Sequence, residues 1–532
     1  MSFDWYRRAH TAIAQGSLTN SKRVETFIKG VTPTHATHGE GAYLYGVDGK
    51  KYLDYCCANG TNLFGYGHPL IKKAIAEQLN RGWLYSLGST MEVECAELVK
   101  DRVPFVKKVR FLKSGTEACM AAIRIARAHH GVSYEHENLY GLLGNKDFTR
   151  VPSGWIEKGW LSQKLQSLCE GISNAARDYG NQEVGAVEIC PLTEGKTDRG
   201  EALPKETREN QISRQRQGLF SRAAAAFKEA LRSMWVSQFS GTPPRLLETS
   251  GRDLALSQAS RGGPRVLILS DGYHGHADAF IGLSEPRCGV IPDPYMLPLN
   301  GNEDLIPIAA AVIIEPIMTD HSEARRQWLL DLVNRCRIHK TIVIFDEIIT
   351  GFRWPRLTFS AQSGIHPDIV LLGKACASGL PLAIVGLAEH IGDDKEWFVS
   401  GTYAGELLSL AVMKQTLHML HNKYKLEDLW KDGEAFIEEF NTLYPNKLKI
   451  EGYPTRGVFT GDQHIKALFF QESHKAGILF GPSWFYGFQH LGSRAQTISV
   501  CRDIMQRIRT NQVMLEGEAP ASPFAERMRI SA

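Results

Sequence analysis

Lys374 follows a continuous apolar run in the stretch "DIVLLGKACASGLPLAIVG", which extends from Asp368 to Gly386. A Val/Leu run with Asp before it and Gly after it is typical of a strand that is covered on both faces. An unpaired ammonium group is costly in such surroundings. The sequence therefore predicts that Lys374 has an anionic partner, an exit to solvent or a chemical role, and a lysine amine can act as a nucleophile toward carbonyl compounds.

Two carboxylates end a second apolar run, in "VIFDEIITGFRW". A buried carboxylate must be paired or take part in chemistry, and for Asp346 or Glu347 alone a structural ion pair is the more ordinary interpretation. Lys374 follows Asp346 by 28 positions (374 − 346), which is about the length of one strand–helix–strand crossover. The two side chains are therefore expected at the ends of neighbouring strands.

A candidate phosphate site precedes both residues in the chain. The stretch "FLKSGTEACMAAIRIARA" has the pattern of a strand, a glycine turn and a helix, and Ser114-x-x-Glu117 has the spacing of a capping box. Free amides at the start of a helix bind phosphate groups. For this stretch alone, a capped helix with a purely structural role is an equal alternative.

Several short apolar runs have the pattern of strands, with helical or loop segments between them: "KVRFLKSG", "RVLILSD", "AAVIIEP", "TIVIFDE" and "DIVLLGK". Strands that alternate with helices predict an α/β fold with a mostly parallel sheet, in which ligands bind at the carboxyl ends of the strands. The predicted strand ends carry an anion site, an aromatic ring, carboxylates and a lysine: Ser114-Gly115-Thr116, Tyr273-His274, Glu315, Asp346-Glu347 and Lys374.

This set of groups matches what pyridoxal phosphate (PLP) requires. The aldehyde of PLP needs an amine, its pyridine nitrogen needs an acid partner, its phosphate needs amides, and its ring needs a stacking face. A nucleotide phosphate loop is excluded, because its pattern needs Gly where Asp368 stands and Ser or Thr where Ala375 stands.

The composition indicates a protein of small-molecule chemistry. The 532 residues carry a net charge of +3, with 43% hydrophobic and 22% charged residues, so nucleic acid and membrane surfaces are not expected as partners. No apolar run approaches the roughly 20 residues of a membrane-spanning helix. The ten cysteines are scattered singles and one adjacent pair, Cys56-Cys57, so we expect no metal site and a reduced, cytoplasmic protein.

Longer motifs add a resemblance to a known family: "RFLKSGTEACMAAIRIARAHHG", "DGYHGHADAF", "IFDEIITGFR" and "PDIVLLGKACASGLPLAIVG". Together they resemble the class III PLP-dependent aminotransferases, most closely the glutamate-1-semialdehyde aminomutase group. The resemblance implies fold type I, with a large α/β domain around a mostly parallel sheet and a smaller α+β domain. It also implies a homodimer with active sites at the subunit interface, and amino-group transfer between a small-molecule donor and an acceptor.

The resemblance also divides the chain. Residues 1–65 would open the small domain, 66–387 would form the PLP-binding large domain, and 388–532 would complete the small domain and form a tail. The stretch at about 133–263 has few strand-like runs and is rich in Gln, Ser, Arg and Gly, which indicates an insertion of unassigned function.

Matched motifs assign roles by resemblance. Lys374 would form the Schiff base with the cofactor aldehyde, and Asp346 would keep the pyridine nitrogen protonated. The other matched cofactor positions are Gly115 and Thr116 at the phosphate beside Ser114, Tyr273 and Ile348 on the two ring faces, Thr402 at the neighbouring subunit's phosphate, and His274 and Glu315, whose roles stay open.

Two substrate-binding motifs of the aminomutase group are altered. The segment whose arginine would hold the substrate carboxylate reads "VTPTHATHGEG", with His35 and His38 but no arginine, and Tyr486 in "PSWFYGF" replaces an acidic residue. Since an arginine fork is the best ligand for a carboxylate, we expect poor activity with glutamate-1-semialdehyde and a bulkier or less charged substrate. Arg353 or an arginine of the insertion is a candidate replacement.

The leading hypothesis is a transaminase or aminomutase that acts on an amino acid, an amino sugar or a related carbonyl compound. The same cofactor groups would also serve a lyase, a racemase or a decarboxylase. A third hypothesis is a non-enzymatic protein in which the insertion binds a partner.

Overall fold

The computed structural model describes residues 2–131, 265–269, 272–284, 290–391 and 397–520. The predicted insertion at about 133–263 lies outside these described residues. Elements are numbered below in chain order among the described residues.

The strands are β1 Ala36–Glu40, β2 Tyr43–Gly46, β3 Lys51–Asp54, β4 Lys108–Leu112, β5 Val266–Ile268, β6 Met296–Pro298, β7 Ala311–Ile314, β8 Ile342–Glu347, β9 Ile369–Leu372, β10 Ala383–Leu387, β11 Leu448–Tyr453, β12 Arg456–Gly461, β13 Ile478–Leu479 and β14 Ser483–Phe485. The α-helices are α1 Ser2–Ala12, α2 Cys57–Gly60, α3 Pro69–Leu79, α4 Thr90–Arg102, α5 Gly115–His129, α6 Asp278–Ser284, α7 Glu323–His339, α8 Phe359–Ser363, α9 Leu407–Asn422, α10 Leu426–Asn441, α11 Gln463–Lys475 and α12 Arg494–Arg509. Among the described residues, no helix is long and apolar enough to cross a membrane.

The central sheet has seven strands in the order β4-β10-β9-β8-β7-β5-β6. Neighbours from β6 to β9 pair in parallel, and β10 runs antiparallel between β9 and β4. The predicted mostly parallel sheet is confirmed. Because β10 is antiparallel to both of its neighbours, β4 points the same way as β9, and their carboxyl ends lie at the same edge as those of β7 and β8.

Helices cover both faces of this sheet. Ile344 of β8 packs in the same cluster as Ala122 of α5, whereas Phe345 packs in a second cluster with Leu329 of α7. All the residues of β8 are buried, which explains why its sequence is apolar without alternation. Since side chains alternate along a strand, Asp346 lies on the α5 side.

Two smaller sheets have the orders β1-β2-β3-β13 and β11-β12-β14. β2 and β3 form an antiparallel hairpin around Asp48-Gly49, a dipeptide that is typical of tight turns between strands. β3 pairs in parallel with β13, so the N-terminal segment and the C-terminal part of the chain share one sheet. This pairing supports a small domain built from both chain ends, while the boundaries at 65 and 387 stay predictions.

Candidate active site

Asp346 is held by three groups at the end of β8. Nδ1 of His274 lies 2.7 Å from Oδ2, and the Cys119 thiol donates to the same oxygen at 3.4 Å. The backbone N–H of Ile348 donates to Oδ1 at 3.1 Å. Asp346, His274 and Cys119 are all buried, so the carboxylate has one fixed orientation. Nε2 of His274 is buried without a partner.

Glu347, the second carboxylate, has a structural role on the opposite side of the sheet. It accepts hydrogen bonds from the backbone N–H groups of Phe359 and Ser360, at 2.6 and 2.9 Å, and from the Ser360 and Thr350 hydroxyls. Burial raises the pKa of Glu347, and these donors offset part of that effect. Its oxygens hold the start of the short helix α8 and are not available for chemistry.

Lys374 lies just past the end of β9, next to Asp346. β8 and β9 are parallel neighbours, with Asp346 opposite Leu371 in the register, so the predicted placement at neighbouring strand ends is confirmed. The lysine is partly buried and has a φ of 44°, a left-handed conformation that is unusual for a residue with a Cβ. Strained backbone of this kind is concentrated at functional sites.

The electrostatic surroundings shift the pKa of Lys374 downward. Burial is the largest cause, and the carboxylates of Asp346 and Glu315 partly offset it. The guanidinium groups of Arg456 and Arg353 lower the pKa of Lys374 further. A neutral amine is therefore easier to form here than on a solvent-exposed lysine.

Helix α5 begins at the same edge of the sheet. Ser114 is its N-cap: its hydroxyl accepts from the Glu117 N–H, and the Glu117 carboxylate accepts from the Ser114 N–H, so the predicted capping box is confirmed. The first amides of a helix have no partner inside the helix, which leaves those of Gly115 and Thr116 for an anion. The Thr116 hydroxyl accepts from the backbone N–H of His276 at 3.2 Å.

Ile348 packs between this helix start and the strand end that carries the lysine. A Cβ placed on Gly115 would lie 2.7 Å from Cδ1 of Ile348, and one placed on Gly373 would lie 3.2 Å from its Cγ2. The isoleucine side chain therefore lies against both glycines, and a Cβ at either position would require it to shift.

The segment after β5 brings Tyr273 and Glu315 together. The Tyr273 N–H donates to Oε1 of Glu315 at 2.7 Å, and the Tyr273 side chain is 44% exposed. Burial, with the nearby charge of Asp346, raises the pKa of Glu315. Thr402 lies in an exposed segment before α9, and no hydrogen bond among the described residues joins it to this cluster.

Arg353 is wrong as the replacement arginine, and Tyr486 is likewise held by other contacts. Tyr486 is fully buried, and its hydroxyl donates to Asp432 at 2.6 Å, so it is not free to meet a substrate. Arg353 is also fully buried and donates to backbone carbonyls, including that of Gly60 at 2.6 Å. These hydrogen bonds connect segments that are far apart in the chain. The Arg353 guanidinium is part of the framework of the site.

Cys119 was missed by the sequence reasoning. It lies five residues after the N-cap Ser114, on the buried side of α5. The helical period alone could have indicated that it faces the sheet, but its contact with Asp346 depends on how α5 packs against β8.

The cluster fits PLP in each of its parts. Amides at the start of α5 suit the phosphate, Asp346 suits a ring nitrogen, and Lys374 suits the aldehyde. Cys119, His274 and Asp346 also bring three metal-ligand atoms within 4.8 Å of one another. Their mutual hydrogen bonds explain that proximity without a metal ion.

Comparison with known proteins agrees with this chemistry. The model of the class-III aminotransferase family matches residues 27–145 and 302–508. Glutamate-1-semialdehyde 2,1-aminomutase from Symbiobacterium thermophilum is 26% identical over 439 residues, which cover 80% of this chain and 74% of that protein. The aminomutase from Methanothermobacter thermautotrophicus is also 26% identical over 439 residues, with 82% and 76% covered.

Solved structures share the fold at lower identity. The FumI protein of Sphingopyxis sp. MTA144 superposes with a TM-score of 0.66 at 17% identity, and the alignment covers 98% of each chain. A β-phenylalanine aminotransferase from Variovorax paradoxus superposes with a TM-score of 0.61 at 16% identity, covering 96% of this chain and 95% of the other.

The fold is therefore that of the fold type I PLP-dependent aminotransferases, as the sequence predicted. The chain belongs to the class-III aminotransferase family. It is an enzyme whose cofactor is PLP and whose chemistry is amino-group transfer or aminomutation.

Proposed function

We propose that Lys374 and Asp346 are the catalytic residues of this amino-group transfer. The observation that carries the proposal is the register of β8 and β9, which brings the lysine next to the buried Asp346. Bound PLP supplies an aldehyde that condenses with amines and a protonated pyridine ring that withdraws electrons from the α-carbon of the substrate.

Lys374 moves the proton in this proposal. Its lowered pKa favours the neutral amine, so Nζ can accept a proton from the substrate α-carbon and donate it at the next atom of the reacting system. Lys374, with its left-handed backbone, follows the extended Gly373 at the end of β9, at the same edge of the sheet as Asp346.

Asp346 holds the ring nitrogen in its protonated form. Its two oxygens are fixed by His274, Cys119 and the Ile348 N–H, which supports a single orientation of the carboxylate. The amides of Gly115 and Thr116 would bind the phosphate, with Ser114 fixing the helix start. Tyr273 and Ile348 would contact the two ring faces. Glu315 would position Tyr273 by accepting the hydrogen bond from the Tyr273 backbone N–H.

The substrate is proposed to differ from glutamate-1-semialdehyde. The segment "VTPTHATHGEG" has no arginine, and the ring of His38 stacks on Tyr45 with the centroids 4.2 Å apart. Neither histidine carries the permanent charge and fork geometry of an arginine.

Absorption spectroscopy tests the function. On addition of a productive amino donor, we expect the band of bound PLP to give way to that of pyridoxamine phosphate. A donor that is consumed without this change would support the lyase, racemase or decarboxylase alternative instead. With glutamate-1-semialdehyde, a kcat/KM above about 10⁴ M⁻¹s⁻¹ would contradict the proposed substrate preference.

A homodimer is also proposed. Exposed apolar and aromatic side chains form a patch, which we call the aromatic patch: Trp83, Leu84, Tyr85, Leu87 and Tyr403. The carbonyl of Trp83 accepts from the N–H of Leu407, so this loop lies beside the segment that carries Thr402. An exposed patch of this kind supports a subunit interface, at which Thr402 would reach the phosphate of the second copy.

The cytoplasm is the proposed location. The seven described cysteines are all free thiols, and all but Cys56 are buried. Free thiols support a reducing compartment.

A further inference from the structure

The β11–β12 hairpin carries two unpaired donors at its tip. Tyr453 and Arg456 stand opposite each other in the register, and opposite residues of an antiparallel pair project from the same face. The hydroxyl of Tyr453 and Nε of Arg456 are both buried without a hydrogen-bond partner. Because buried donors are nearly always paired, the two together indicate a place for an acceptor that is not part of the described chain.

Arg456 lies at the edge of the central sheet where the catalytic residues lie. Its Nη1 donates to the backbone carbonyl of Met318, which follows Glu315 by three positions at the end of β7. The positive charge of Arg456 lowers the pKa of Glu315, after burial and the charge of Asp346 have raised it, and Arg456 also contributes to the lowered pKa of Lys374. The contact and the charge effects bring the guanidinium close to the reacting groups.

No described carboxylate forms an ion pair with Arg456, and its side chain is only partly buried. Arg353 differs, because it is fully buried and donates to the carbonyls of Thr455 and Tyr486 as well as Gly60. Thr455 belongs to the turn of the same hairpin, so Arg353 fixes the hairpin tip. Of these two arginines, Arg456 is the one that is only partly buried and therefore the one that a ligand can reach.

We propose that Arg456, assisted by the Tyr453 hydroxyl, binds the carboxylate of the substrate, which makes the substrate an amino acid or oxo acid and not a simple amine. The inference rests on the proposed amino-transfer function. A guanidinium presents donors in a fork that matches two carboxylate oxygens, and a phenol adds a further donor. Arg456 would thus offer a carboxylate fork from the β11–β12 hairpin and not from the segment "VTPTHATHGEG", which is consistent with a substrate other than glutamate-1-semialdehyde.

Equilibrium binding gives the first test. Calorimetric titration of the PLP-loaded enzyme with two unreactive carboxylates, succinate and 3-phenylpropionate, should show binding of at least one. Arg456→Gln should weaken that binding by about 30-fold or more, and Arg456→Lys should weaken it less, since it keeps the charge but loses the fork. Arg502→Gln, on the exposed side of α12, is the matched control and should change nothing.

Matched substrates give the second test. β-Phenylalanine is 1-phenylethylamine with a carboxyl group on the methyl carbon. Arg456→Gln should lower kcat/KM for the acid, chiefly through KM, by a much larger factor than for the amine, which is affected only through the changed pKa of Lys374. Equal losses for both, unchanged carboxylate binding, or no carboxylate binding by the parent enzyme would overturn the inference.

If Arg456→Gln does not fold, Tyr453→Phe provides a second test of the proposed carboxylate site. It removes one unpaired hydroxyl and leaves the packed ring, so carboxylate binding should weaken by a few fold with unchanged stability, and unchanged binding would count against the proposal. Absence of amino transfer from every donor would overturn the proposed function. The calorimetric comparison would still decide the role of Arg456.

Discussion

Lys374 is the residue at which two unfavourable features coincide. Its backbone adopts a left-handed conformation, and its ammonium group sits partly out of water. Each feature costs free energy that the surrounding structure must offset. Both features suit an amine with a chemical role, because partial removal from water lowers the pKa of Lys374 and makes the neutral, nucleophilic form easier to reach.

Replacing Lys374 by Ala should therefore abolish turnover without unfolding the protein. Borohydride reduction of the PLP-loaded enzyme, followed by peptide mass spectrometry, should find the cofactor on Lys374 in the parent chain and nowhere in the variant. Lys100→Ala, on the exposed face of α4, is the control and should keep the adduct. An adduct on another lysine would refute the assignment.

Asp346→Asn should retain bound PLP but lose activity by about 100-fold or more, because a neutral amide does not hold a proton on the ring nitrogen. The kinetic constants and the cofactor stoichiometry are measured on the same preparation. A rate close to that of the parent enzyme would remove Asp346 from the mechanism.

For single residues, the sequence predicts which side chains belong to the site better than it predicts what those side chains contact. Lys374 and Asp346 follow from apolar strands that end in charged residues. Tyr486 and Arg353 were misjudged because their orientation depends on packing between segments far apart in the chain. Arg456 was not singled out at all, since only the hairpin register brings it opposite Tyr453.

Among the elements, strand β8 gives its two terminal carboxylates different roles. Its last two side chains point to opposite faces, and only Asp346 meets the site, whereas Glu347 holds the start of α8. Sequence alone left the two carboxylates equivalent. The alternation of the strand separates them once the side of α5 is known.

Glu347→Gln should lower stability and leave the cofactor spectrum unchanged. An amide loses the negative charge and part of the acceptor capacity that four buried donors use, so we expect a loss of about 1–3 kcal/mol in the free energy of unfolding. Urea titration of the variant is compared with Glu438→Gln, an exposed position on α10. A change in the PLP band without a change in the urea midpoint would be the opposite result.

The elements themselves were largely predictable. β4, β5, β7, β8 and β9 and helix α5 match the patterns in the sequence. Strand β10 was not named as a strand, because its short run after Pro381 gains its hydrogen bonds from partners that lie elsewhere in the chain.

For the whole molecule, we predict that the aromatic patch is covered in a homodimer. Sedimentation at assay concentration should give the mass of two chains, and Leu87→Glu, at an 83% exposed position, should shift the equilibrium toward the monomer and lower activity in parallel. Ile338→Glu, at an exposed position on α7, is the control. A fully active monomer would contradict the proposal.

Buried histidines should make the fold sensitive to acid. Nε2 of His474 donates to the Phe480 carbonyl at 2.8 Å, so Nδ1 of the neutral ring accepts from the Thr32 hydroxyl at 2.7 Å. Burial lowers the pKa of His474 to about 4. The unfolded pKa is about 6.5, so the stability from the neutral ring is complete above pH 6.5 and is lost as pH falls toward 4. The difference corresponds to about 3 kcal/mol at most.

His474→Gln should therefore flatten the decline of the urea midpoint between pH 6.5 and 4.5, although it lowers stability at pH 7.5. The exposed His464→Gln on the same helix should leave the slope unchanged. An unchanged slope in His474→Gln would show that other groups set the acid sensitivity.

The antiparallel strand β10 also bears on the order in which the enzyme can be made. Ala383 of β10 pairs with Leu112 of β4, which lies 271 positions earlier (383 − 112). During synthesis from the N-terminus, β4 and the start of α5 must wait for this partner while most of the chain is still being added. A ribosome-bound chain that stops before Ala383 would lack the strand that joins the helix start to the lysine, so the ability to retain PLP should arise late in translation.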